Sequence, residues 1–416
     1  MASSMLLHTP SPSSTLRFKS SRSFSHQPIR VSKHLIYTVK ASTSLDYSAP
    51  SRSSSISKSK PSSWKWKFEG NSVNIHFERL EKEGGDQPRK DILLVPTISD
   101  VSTIEEWRVV AEEIVGRDSA NNWSATIVDW PGLGNSDRPK LDYNADVMER
   151  FLVDFVSSPD SPISSSVADN EYVVFGGGHA ATIAVRATKN GLLKPKAIAA
   201  VAPTWAGPLP IVFGKDSNME TRISGIRIQN IFSSSRVYRI RFVGIRNFLS
   251  DFLPKMGVKP YGFLRGTLRA PAVGWMMYNM LVSNEKAIKS QYKSHVYADP
   301  ENVTPSIVES RYALTKKKGA RYVPAAFLTG LLDPVNSRDE FVQLFAGLEG
   351  KNVPVLVMSA SGAPKRSKAE MEALRGAKGV SKFVEVQGAL LPQEEYPKVV
   401  ADELYTFLLE NFESKA

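Results

Sequence analysis

The 416-residue chain predicts an α/β fold, a mostly parallel, doubly wound sheet with helices on both faces. Three observations carry this expectation. Short apolar runs recur at residues 91–97, 126–129, 172–175, 196–203, 353–358 and 383–386. Stretches of helical character separate them, and strands alternating with helices read as parallel crossover units. At residues 172–181 (YVVFGGGHAA) an apolar run meets a tight Gly turn, then a small-residue stretch with Ala180, Ala181 and Ala184.

Taken in order, the N-terminus comes first. Residues 1–60 hold 19 serines, nine Lys/Arg and one acid, Asp46. A Ser-rich, basic, acid-poor segment without a compact apolar core reads as an organelle transit peptide. Its richness in serine points to the chloroplast, and IYTVKA at 36–41 resembles a plastid processing site. This places a transit peptide at 1–41 and a flexible Ser-rich leader at 42–63; an ordinary disordered tail is the competing reading. The core begins at Trp64. DILLVPT at 91–97 is a buried strand entering a loop, and TIVDWPGLGNSDRP at 126–139 is a strand running into a Gly-rich loop. Asp129 and Ser136 are expected to hold that loop's shape. The turn at 172–181 follows, then a strand at 196–203 and two late strands at 353–358 and 383–386.

Composition excludes several function classes. The chain has no cysteine, so disulfides, thiolate catalysis and zinc–thiolate sites are absent. No run of about 18 apolar residues predicts a spanning helix. His8, His26 and His34 fall in the transit region, while His76, His179 and His295 lack ligand spacing, so no metal is expected. Neither a P-loop nor a dinucleotide fingerprint occurs, so no cofactor is expected.

The net charge is +11, of which residues 1–60 carry +8. The high pI therefore does not imply nucleic acid, and no nucleic-acid motif accompanies the charge. Residues 208–320 hold 18 Lys/Arg against 7 Asp/Glu, a net of +11, while 61–207 and 321–416 together carry −8. Within the basic segment Arg236, Arg239, Arg241 and Arg246 interleave with apolar residues, and AVGWMMYNMLV at 272–282 is a second apolar run. Basic charge beside large apolar side chains suits an anionic lipid surface. It equally suits a helical layer packed on the core with a solvated basic face.

The run at 129–139 is similar, almost residue for residue, to the D-x-P-G-x-G-x-S-D-x-P loop of the α/β-hydrolase fold superfamily. From about Trp64 to the C-terminus the chain resembles that family, and more narrowly a plastid and cyanobacterial hydrolase-like branch. The resemblance implies a helical lid at 208–320 dividing the core into 64–207 and 321–416. It implies a nucleophile elbow, G-x-S-x-G, at 176–180. It also implies a Ser, an Asp/Glu and a His in that order, with oxyanion donors beside them.

None of the three side chains stands where the resemblance puts it. Gly178 holds the serine's place, Ala363 the acid's and Leu390 the histidine's, and no histidine follows His295. Pro96 and Thr97 stand where the family has His-Gly. Proline offers no N–H, which leaves Thr97 or Ile98 as donors in a pocket shared with Gly177 and His179. His179, beside the vacancy, is a substitute acid or base, or else packs under the lid. Asp333 in TGLLDP mimics a family acid loop, or caps the helix starting near 335–337. Ser99 and Ser361 are weaker loop candidates. The expectation is a chloroplast protein that has lost Ser-Asp-His hydrolysis and binds an apolar or amphipathic molecule, or a partner at a membrane surface. The alternative is an active hydrolase, esterase or lyase using His179.

Overall fold

The central apolar runs become strands because their side chains are buried on both faces of one sheet. The computed structural model describes residues 56–58, 61–82, 89–119, 121–168, 171–207, 266 and 270–412. β1 (Ile56–Lys58), β2 (Ser62–Phe68) and β3 (Asn71–Lys82) open the sheet. β4 (Arg89–Val95), α1 (Glu105–Val115), β5 (Asn122–Val128), α2 (Ala145–Ser157) and the short α3 (Ser164–Ala168) follow. Next come β6 (Tyr172–Gly177), α4 (Gly178–Lys189) and β7 (Ala197–Val201).

Beyond β7, the described part of the segment read as a lid is helical. It holds α5 (Pro271–Leu281), α6 (Glu285–Gln291), a π-helical turn (Tyr292–Val296) and α7 (Pro305–Thr315). Arg236, Arg239, Arg241 and Arg246 lie outside the described residues. The chain returns through α8 (Tyr322–Leu328), α9 (Arg338–Ala346), β8 (Val355–Ala360), α10 (Lys365–Arg375), β9 (Lys382–Val386), α11 (Pro392–Glu395) and α12 (Pro397–Phe412).

The sheet order is β1-β3-β5-β4-β6-β7-β8-β9, with β2 paired to β3. β1, β2 and β5 run antiparallel to β3, and every pairing from β5 through β9 is parallel. Alternation along β4 assigns the faces. Leu93 and Val95 pack with Met148, Phe151 and Phe155 of α2 and Ile183 of α4. Ile92 and Leu94 pack with Trp107, Val110 and Ile114 of α1 and Leu404 and Phe407 of α12. The doubly wound expectation is met.

The leader boundary needs correction. Ile56 to Lys58 pair with Lys82 to Leu80, and Ser62 and Ser63 pair with Phe77 and His76. The sheet thus reaches into the 42–63 segment. An edge strand needs backbone hydrogen bonds more than apolar side chains, so serine content alone did not reveal it.

Candidate functional site

Strand β6 delivers the chain into α4 through three glycines. Gly178 has φ +53, in the left-handed region that favours glycine. A Cβ on Gly176 would lie 2.8 Å from the backbone of Ala181, so only glycine permits so tight a turn there. A Cβ on Gly178 would meet Thr97 Cγ2 at 3.3 Å and Thr204 Oγ1 at 3.5 Å. One on Gly177 would meet Thr97 Cγ2 at 2.8 Å and the Gln393 amide nitrogen at 2.9 Å. The turn is a tight strand-to-helix elbow, and neighbouring side chains close over Gly177 and Gly178.

The would-be oxyanion loop is also occupied. The Thr97 N–H donates to Glu106 Oε2 at 2.9 Å, and the Thr97 hydroxyl donates to Oε1 at 2.9 Å. Glu106 lies in the first turn of α1 and is buried. Burial pushes its carboxyl up to about 7; Glu394 adds to the rise, while the Thr97 N–H and Arg311 oppose it. A donor that could stabilise a developing oxyanion therefore already serves a resident carboxylate. Pro96 contributes only its carbonyl, which accepts from Trp130 Nε1 at 2.8 Å. Ile98 is buried in the same core as the α2 aromatic residues.

From the late loop, the side chain that enters the elbow is Gln393, whose amide nitrogen lies 3.5 Å from Glu106 Oε2. Gln393 is buried, and its Oε1 has no hydrogen-bond partner. Leu390 instead uses its backbone N–H to bond the Val296 carbonyl at 3.0 Å. Behind Gln393, Arg311 of α7 donates to Tyr292 Oη at 3.1 Å and to the Glu394 carboxylate. This largely buried pair ties α7 to the short α11, which carries Gln393.

His179 and Asp333, separate candidates in the sequence, are brought together. His179 Nδ1 is 2.7 Å from Thr204 Oγ1, and Nε2 is 3.6 Å from Asp333 Oδ1. The two side chains are 2% and 1% exposed. Asp333 Oδ1 also accepts the Gly207 N–H at 2.8 Å. The imidazole packs edge-on against Phe327 of α8, and Thr182 of α4 holds the Thr204 carbonyl at 2.7 Å. The reading of Asp333 as a helix cap is corrected: Ser337 caps α9 by accepting from the Glu340 N–H. The Thr204 hydroxyl bonds the imidazole, but Nε2 has no hydrogen-bond partner. The Asp333 carboxylate stands 3.6 Å from it, beyond hydrogen-bond distance, and histidine and aspartate are both sealed from solvent.

The weaker candidates stay apart from this centre. Ser99 Oγ accepts locally from the Val101 N–H at 3.4 Å, and Ser361 is exposed. Buried Ala363 precedes α10 and brings no carboxylate. Asp129 and Ser136 hold the Gly-rich loop as expected. Asp129 accepts the Ile104 and Asn135 N–H groups, and the Ser136 hydroxyl donates to the Asp129 carbonyl. Among the described residues no His, Cys, Asp or Glu group is arranged to hold a metal.

Glu106, Thr204 and Gln393 were not found by sequence reasoning. Only Glu106 left a signal, an acid nine residues beyond Thr97. A cavity of about 170 Å³ lies on another side of α8, lined by Lys140, Leu141, Tyr143, Tyr322, Ala326 and Leu331.

No protein-family model and no curated protein matches this chain. Solved structures do. A haloalkane dehalogenase from Agrobacterium tumefaciens is 14% identical, covers 84% of this chain and 97% of its own, and superposes with a TM-score of 0.53. A serine hydrolase involved in carbazole degradation is 12% identical over 84% of this chain and 99% of its own, with a TM-score of 0.52. A serine hydrolase from the polyaromatic-hydrocarbon-degrading bacterium Cycloclasticus zankles is 12% identical over 85% of this chain and 100% of its own, also at 0.52. Identities this low show the fold alone, and that fold is the α/β-hydrolase fold.

Proposed function

We propose that this α/β-hydrolase-fold chain does not hydrolyse through an elbow serine and works instead by binding. The observation that carries the reading is Glu106, which holds both the N–H and the hydroxyl of Thr97. A substrate oxyanion would have to displace the Glu106 carboxyl, or share its donor with it, at a buried site. Gly178 supplies no nucleophile, and Gln393 comes where a base would be needed. Loss of a working triad removes on the order of 10⁶-fold in kcat for a protease of this mechanism.

The ligand we favour is an apolar or amphipathic small molecule, or a partner at a membrane surface, in the chloroplast. The Ser-rich, acid-poor N-terminus supports the compartment. The basic, apolar segment at 208–320 supports a surface role. The cavity of about 170 Å³ beside α8 supports a small apolar group, since an apolar cavity of about 150 Å³ takes up benzene. A second reading, acid–base chemistry at His179, is favoured by one observation, its 2.7 Å contact with the Thr204 hydroxyl. Turnover of acyl esters by the purified protein and by His179→Ala separates the two. Rates at background in both support binding, and activity lost with the histidine supports chemistry.

A further inference from the structure

We infer that α5 and the basic residues beside it form a docking face for an anionic lipid bilayer, with Trp275 and Met276 entering the interface. This rests on the proposal that the helical layer is the working surface, and it names the partner and the residues that meet it.

The helix sequence PAVGWMMYNML contains no charged side chain. One side is held to the molecule. Tyr278 is 7% exposed and packs with Val282 and Ala320. Both ends are anchored: Arg321 Nη1 donates to the Ala270 carbonyl at 2.8 Å, and the Ser283 and Thr315 hydroxyls bond at 2.8 Å. The opposite side faces outward. Trp275 is 63% and Met276 55% exposed, the two most exposed large apolar side chains among the described residues. Single exposed apolar residues are ordinary. Two adjacent ones on an anchored, uncharged helix, one of them a tryptophan, are the pattern of an interfacial anchor.

Charge selects the partner. Lys286 and Lys289 on α6, and Lys318 just past α7, are exposed close in sequence to the two ends of this anchored unit. Residues 208–320 carry a net +11, whereas 61–207 and 321–416 together carry −8. Residues 270–320, which hold this unit, carry seven Lys/Arg against four Asp/Glu, a net of +3, which favours an anionic over a neutral surface. An 11-residue helix is only about 16 Å long, so α5 lies in the interface plane. No helix among the described residues is long and apolar enough to cross a membrane.

The test is co-sedimentation of the full chain with vesicles of phosphatidylcholine containing about one-third phosphatidylglycerol, and with pure phosphatidylcholine. Residues 1–60 are themselves basic, so the variants decide the result. Trp275→Ala/Met276→Ala is expected to lower partitioning onto anionic vesicles by about tenfold or more, with an unchanged thermal midpoint. Lys286→Glu/Lys289→Glu is expected to lower it on anionic vesicles and leave neutral ones unaffected. Equal partitioning of the Trp275/Met276 variant and the parent, or no binding to anionic vesicles by the parent, overturns the proposal. So does a dimer in light scattering that the Trp275/Met276 variant abolishes, since a second copy would then cover the helix. Ester turnover reads the binding proposal separately, so failure of one leaves the other's result standing.

Discussion

Position 178 holds its glycine by local geometry. Its φ of +53 suits glycine, and a Cβ there would press on Thr97 Cγ2 at 3.3 Å. Gly178→Ser is expected to fold with a loss of about 1–2 kcal/mol, read by thermal denaturation. It is expected to gain no ester turnover, because the Thr97 N–H stays committed to Glu106. Glu106 gives the second expectation at this scale. Its folded carboxyl, pushed up to about 7, lies above the ordinary value of 4.5. The folded state therefore holds a proton that the unfolded chain releases. Stability from this group is fully present below about pH 4.5, is lost as pH rises to about 7, and is level beyond. Glu106→Gln keeps an amide oxygen for Thr97 and removes that slope, worth at most about 3 kcal/mol. Asp129, also raised to about 7 by burial, keeps its own slope in both proteins. Identical pH profiles of thermal stability for parent and variant would contradict the assignment.

Between elements, the main tie is Arg311 of α7 to Glu394 in the loop behind the elbow. Arg311 is buried and the Glu394 side chain is 10% exposed, so removing the arginine leaves a largely desolvated carboxylate without its partner. Arg311→Ala is expected to cost about 3–5 kcal/mol in urea denaturation, well above an exposed pair's 0–1 kcal/mol. Elements also differ in how legible they were. Strands β4, β6, β7 and β8 announced themselves because parallel strands buried on both faces read as unbroken apolar runs. β1 carried no such run, and its three residues are held by pairing to β3. The Gly-rich loop was readable because its glycines answer to local geometry: a Cβ on Gly134 would overlap the Asp129 carboxylate. Asp333 was misread because a carboxylate just before a helix has the same local pattern whether it caps that helix or reaches across to His179.

Across the whole molecule, the residues at 178, 363 and 390 were legible in the sequence, whereas the side chains that gather around the turn at 176–178 were not. Thr204 follows β7, Glu106 begins α1 and Gln393 belongs to α11. Only the folding of the sheet brings these three to one turn, and nothing in their spacing encodes that meeting. The charge difference between residues 208–320 and the segments 61–207 and 321–416 was, by contrast, a property of composition. It needed the fold only to supply the outward-facing Trp275 and Met276. The proposed surface binding and the occupied centre thus rest on separate parts of one scaffold. The measurement that bears most directly on the occupied centre is turnover of a panel of acyl esters and lipids by the purified protein, beside His179→Ala. Equal, near-background rates in both are the predicted result. Turnover in the parent that disappears with His179 would contradict the binding reading and make His179 catalytic.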